Sequence, residues 1–212
     1  MRSVRHPYGL PSLSGARRAA DLRRVETGNA IAAATFADAS ACLRAGAGIA
    51  IENPRNSFMW RLREAQLLRA APGVSFVHFT NCMFADCRRC KPTAVLTNMP
   101  ELVARLGGRV CAGGAVCSRT GAPHLSWTPK VEEGRVLHFP TAGEAEYPGG
   151  LCEEIAKALI QRERAAQGTD EAKNLVFTEV FSGERAPLTR AVSEACWAAG
   201  LRAPSSSCSS SA

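Results

Sequence analysis

Two groups of residues in this chain have types and spacings that chemistry can use. The first is the run Ile49-Ala50-Ile51-Glu52-Asn53-Pro54. It sets a carboxylate and an amide at the end of a short apolar stretch. A carboxyl group at the end of a buried strand can hydrogen-bond a ring nitrogen of a nucleobase. By supplying a proton, it eases nucleophilic addition to the ring. The plainer alternative is a strand that stops at an Asn-Pro turn and leaves Glu52 solvated. The second group comprises Cys82, Cys87-x2-Cys90, Cys111 and Cys117, with His124 close behind. Thiolates spaced in this way can close around a structural zinc ion, and Cys87, Cys90, Cys111 and Cys117 are the candidate ligands. Reduced, unpaired thiols are the competing reading.

The elements that must position these residues follow from hydrophobic period and from turn residues. Residues 17–45 have a helical pattern with Leu22, Val25, Ile31, Phe36 and Leu43 inward, and Gly46 ends it. Residues 47–51 read as a buried strand stopped by Asn53-Pro54, because proline removes a ladder donor. A helix is predicted over 58–71, strands over 74–79 and 93–97, and a short helix over 99–106 with Pro100 in its first turn. Residues 107–148 are rich in Gly, Pro, Thr and Ser and form a loop-dominated insert. Residues 150–166 give an amphipathic helix with Leu151, Ile155, Leu159 and Ile160 on one face. Beyond a polar linker at 167–173, a strand and a helix are predicted within 174–200. The serine-rich tail of 201–212 is predicted to be disordered. Strands alternating with helices point to an α/β fold with a mainly parallel sheet.

Composition narrows the function classes. The 212 residues, 46% hydrophobic and 21% charged, describe an ordinary globular chain. No apolar run approaches the roughly 18–20 residues of a membrane span. The basic start lacks the apolar stretch of a signal peptide, which predicts a cytoplasmic or nuclear protein. Nine cysteines without a secretory signal argue against a disulfide framework. The net charge of +7 is carried mostly by arginine and permits a nucleic-acid partner, DNA above all. Arginine also accumulates in proteins from GC-rich genomes.

Ile51-Glu52-Asn53-Pro54, followed by Ser57 and Trp60, resembles the Glu-Asn motif of cytosine-5 DNA methyltransferases, in the variants of phage and mobile-element type. Asn81 to Asp86, Lys91-Pro92-Thr93 and Asn98 to Leu102 are similar to the stretch that follows it there. Arg2-Ser3, Gly9-Leu10-Pro11 and Gly28-Asn29 are similar to what precedes it. Glu179, Phe181, Ser182 and Gly183 resemble the opening motif of the same family, displaced here to the end of the chain. The resemblance implies a partial Rossmann-like methyltransferase fold over residues 1–166 and 174–200. It further implies Glu52 as catalytic, Asn53 and Pro54 on the substrate, and S-adenosylmethionine at 179–183. Two departures bear on activity. Arg185, Ala186 and Pro187 replace the expected glycine turn, and no Pro-Cys nucleophile occurs anywhere in the chain. The expectation is a degenerate or fragmentary methyltransferase-like protein that is not catalytic alone. A non-catalytic nucleic-acid-binding module, with or without zinc, is the alternative, and a gene-model fragment is the third.

Overall fold

The computed structural model describes residues 2–14, 19–84, 87–127, 130–132, 136–138 and 147–166. The first long element is α1, Ala19–Arg44, which buries Val25, Ala32, Thr35, Phe36 and Ala39 along one face. Its end is built by Gly46 at φ +73°. The Gly46 N–H reaches the Leu43 carbonyl at 3.1 Å and the Ala47 N–H reaches Cys42 at 2.9 Å. This paired closure needs a left-handed residue, which is why glycine stands there.

Beyond it come β1 (Ala50–Pro54), α2 (Arg63–Arg69), β2 (Ser75–Thr80), β3 (Pro92–Thr97) and α3 (Pro100–Leu106). A two-stranded ribbon, β4 (Lys130–Glu132) with β5 (Val136–His138), and α4 (Gly149–Ala166) complete the described elements. The predicted strand at 47–51 lies three residues later, at 50–54. Residues 47–49 are held instead by Asn98, whose amide oxygen accepts the Ile49 N–H at 2.8 Å and whose amide nitrogen donates to the Ala47 carbonyl at 2.9 Å. The helix expected over 58–71 is interrupted at Leu62, whose ψ of 147° is extended. A 3-10 turn at Phe58–Arg61 precedes the break.

The expected parallel sheet is not what forms. Strand order is β1-β3-β2, and β3 runs antiparallel to both neighbours. Among the described residues there is no parallel strand pair, so the Rossmann-like expectation is overturned. The physical reason lies in residues 81–91. β1 and β2 run the same way, joined through α2, as an alternating pattern suggests. Among its described residues the link from β2 to β3, however, holds only a 3-10 turn at Asn81–Met83, and a parallel return needs a longer crossover. The chain reverses instead, and β3 inserts between the two co-directional strands.

Both faces of this sheet are covered. Ile49, Ile51, Ala94 and Leu96 pack with Phe36 of α1, with Met59 and Trp60, and with Leu68 of α2. Ala50, Val77, Phe79 and Val95 pack on the other face with Leu102 and Leu106 of α3 and Leu151, Ile155 and Leu159 of α4. The alternation of side chains along each strand produces this split. The linker, the strand and helix expected over 174–200, and the serine tail lie outside the described residues, as do Glu179, Phe181, Ser182 and Gly183.

Candidate metal centre

The reversal between β2 and β3 brings cysteines together at one edge of the sheet. Cys82 follows β2 directly and is fully buried. Cys90 precedes β3, and Cys111 lies on the loop after α3. That loop is tied to the strand end by two hydrogen bonds, Thr80 N–H to the Arg109 carbonyl at 2.9 Å and Cys111 N–H to Thr80 Oγ1 at 3.2 Å. His124 closes the set: one donor atom each from Cys82, Cys90, Cys111 and His124 lie within 4.8 Å of one another. Four such donors can hold a metal ion. Tetrahedral zinc with bonds near 2.3 Å to sulfur would set its donors about 3.8 Å apart. Cys111 Sγ and His124 Nε2 are 3.8 Å apart.

The surroundings prepare these donors. His124 Nδ1 lies 3.0 Å from the Gly114 carbonyl, which can only accept, so Nδ1 carries the proton and the Nε2 lone pair faces the sulfurs. The same carbonyl raises the imidazole pKa. The Ser118 hydroxyl and N–H both donate to Cys111 Sγ at 3.4 Å. They draw that thiol down to about 6, the hydroxyl most. Burial pushes the Cys82 and Cys90 thiols up, and the neighbouring Cys111 sulfur adds to it. Thiols that resist ionisation thus crowd against one that favours it. A bound cation removes the conflict by stabilising every thiolate at once.

The sequence-predicted ligands are only partly gathered. Cys90 and Cys111 belong to the four-donor set. Cys87 does not, and its thiol hydrogen-bonds the Arg89 carbonyl at 3.4 Å. Cys117 is buried beside Cys82 and Cys111, with its Sγ 3.7 Å from the Cys82 carbonyl. Burial pushes its thiol up, but the Thr120 and Arg119 N–H groups outweigh that and hold it at about 7. Cys82 and His124 take the places that spacing had given to Cys87 and Cys117. Of the Cys-x2-Cys pair only Cys90 joins the set, which Cys82 enters from the end of β2.

Glu52 and Asn53 lie at the same sheet edge but on opposite faces. Glu52 is half-buried beside α4 and accepts a hydrogen bond from the Tyr147 hydroxyl. Asn53 is buried on the α1 side, with its amide nitrogen 3.3 Å from Met59 Sδ. The strand period therefore separates the two residues that the resemblance places on one substrate. Pro54 is exposed, and its carbonyl accepts the Ser57 N–H at 2.9 Å and Trp60 Nε1 at 2.9 Å. The Asn-Pro-x2-Ser-x2-Trp pattern thus builds a local turn.

No family model, curated protein or solved structure matches this chain. Among the described residues, no helix is long and apolar enough to cross a membrane.

Proposed function

We propose that the chain is a nucleic-acid-binding module whose basic loops are held in place by a structural zinc ion on Cys82, Cys90, Cys111 and His124. The observation that carries this reading is where the charge lies relative to the donors. Residues 87–131, which contain three of the four donors, hold seven basic residues (Arg88, Arg89, Lys91, Arg105, Arg109, Arg119 and Lys130). They hold one acidic residue, Glu101. Seven minus one gives +6 of the chain's +7. Arg105 and Arg109 are engaged by Glu154 at 3.1 and 3.5 Å. Arg88 and Arg119 line one cleft with Thr120 and Pro123, and among the described residues no carboxylate lines it. Guanidinium groups without acidic competitors suit phosphate oxygens. A closed set of four protein donors suits a structural ion, because a catalytic site keeps a position open.

The test is DNA binding by fluorescence anisotropy over a salt series, with zinc present and after chelation. Affinity should fall steeply with salt, and chelation should weaken it. Unchanged binding after complete zinc removal, or no salt dependence, would refute the reading.

A second reading rests on Glu52, whose carboxyl at the end of β1 is oriented by Tyr147. It treats the chain as a remnant of a cytosine-5 methyltransferase-like protein that keeps a base-contacting carboxylate and lacks the Pro-Cys nucleophile. Calorimetry with S-adenosylmethionine tests it. Heat of binding that Gly183→Trp abolishes supports the remnant, and no heat ends it.

A further inference from the structure

We infer that the metal-held loop carries a base-stacking platform, centred on Trp127, for single-stranded nucleic acid. The inference rests on the nucleic-acid reading above and adds the kind of strand that is bound. Trp127 is 40% exposed, although its ring is among the largest apolar groups in the chain. Its Nε1 donates to the Cys90 carbonyl at 3.2 Å, so the indole is fixed to the backbone of a metal-donor residue. The Arg89 guanidinium lies 5.3 Å from the ring centroid and also donates to the Ser126 carbonyl. Leu125, 41% exposed, is held by its N–H to the Arg88 carbonyl at 2.9 Å. Residues 88–90 and 125–127 therefore run side by side and present an indole, a leucine and two guanidinium groups together.

This pairing of groups selects a ligand. A duplex hides the faces of its bases, whereas a single strand offers them for stacking on an aromatic ring. Its phosphates need cations at a neighbouring position, and Arg88 and Arg119 line the adjoining cleft. Arg119 is held in place there by donating to the Cys82 carbonyl from Nε at 2.9 Å and to the Phe84 carbonyl from Nη2 at 3.0 Å. The shared chemistry is an unstacked base next to a phosphodiester, whether the sugar is deoxyribose or ribose.

The experiment compares an oligothymidylate, an oligouridylate of equal length and a duplex of that length, by anisotropy on the zinc-loaded chain. The variants are Trp127→Phe and Trp127→Leu. Both lose the Nε1 donor to Cys90, so a difference between them reads the aromatic ring and not that hydrogen bond. Zinc content is measured for each. At least one single strand should bind about tenfold or more tighter than the duplex, and Leu should lose most of that preference while Phe keeps it. A preference shown only by the oligouridylate would identify RNA as the source of the strand. Equal binding of Phe and Leu variants, or a duplex bound as tightly as both single strands, would overturn the platform and leave general nucleic-acid binding standing. Failure of all three ligands to bind would overturn both.

Discussion

Cys111 receives two hydrogen bonds from Ser118 and faces His124, so its loss should open the site more than loss of any thiol outside the four-donor set. Cys82→Ser and Cys111→Ser should each abolish stoichiometric zinc in metal analysis, whereas Cys87→Ser and Cys117→Ser should retain it. Ser118→Ala removes only a supporting hydroxyl and should weaken zinc about tenfold in a chelator competition. Retention of zinc by Cys111→Ser would assign the ion to other donors. The sequence made the composition of this site legible but not its membership. Cys87 and Cys90 stand at a familiar spacing, yet only Cys90 turns toward Cys82. That choice depends on where β2 ends, and spacing carries no record of it. Glu52 and Asn53 show the same limit. Adjacent residues on a strand look like partners in a sequence and face apart in a sheet.

The end of α1 shows how much a single local signal can settle at the level of the element. Gly46 was readable as a stop, and its φ of +73° explains why. Among the described residues no atom beyond its chain neighbours lies within 4 Å of where its Cβ would be, so Gly46→Ala tests backbone strain without a clash. It should cost about 1–2 kcal/mol in urea unfolding, and an unchanged midpoint would mean that the helix ends another way. The helices near 19–44, 100–106 and 149–166 and the strands near 75–80 and 92–97 were legible because their periods and breakers agree. Strand direction was not. Alternation of strands and helices suggests a parallel sheet, but the connection at 81–91 is shorter than a parallel crossover needs, and the chain reverses.

At the scale of the whole molecule, α4 is fastened to α3 and the loop beyond it through Glu154. Arg105 and Arg109 lie at 3.1 and 3.5 Å, and Lys157 at 3.2 Å. Burial alone pushes the Glu154 carboxyl up, but Arg105, Lys157 and Arg109 outweigh it and the folded pKa lies below the ordinary value. The pairs therefore contribute fully above the unfolded pKa and lose their contribution as pH falls through the lower folded one. Glu154→Gln should cost about 1 kcal/mol near neutrality, and its thermal midpoint should converge on that of the unmodified chain below pH ~4. A gap that persists in acid would assign the effect to packing. The same α3 and α4 side also holds Tyr147 and Glu52, so the sheet edge, the helical pair and the donor loop are joined in one frame.

That frame has a weak member. Between α3 and residue 127 the only ladder contact among the described residues is an isolated bridge from Val116 to Pro123. Few backbone bonds hold this stretch to the core; Arg119 adds side-chain bonds to the Cys82 and Phe84 carbonyls, and the cation would add a further cross-link. Closing such a loop through side chains lowers the entropy of the open state. A protease needs an extended, mobile stretch of backbone, and Arg119 stands exposed in the middle of this one. Trypsin should thus cut after Arg119 slowly when zinc is bound and rapidly once it is stripped, with the helical frame surviving as a resistant core. Equal cutting rates in the two states would show that the loop takes its order from something other than the ion.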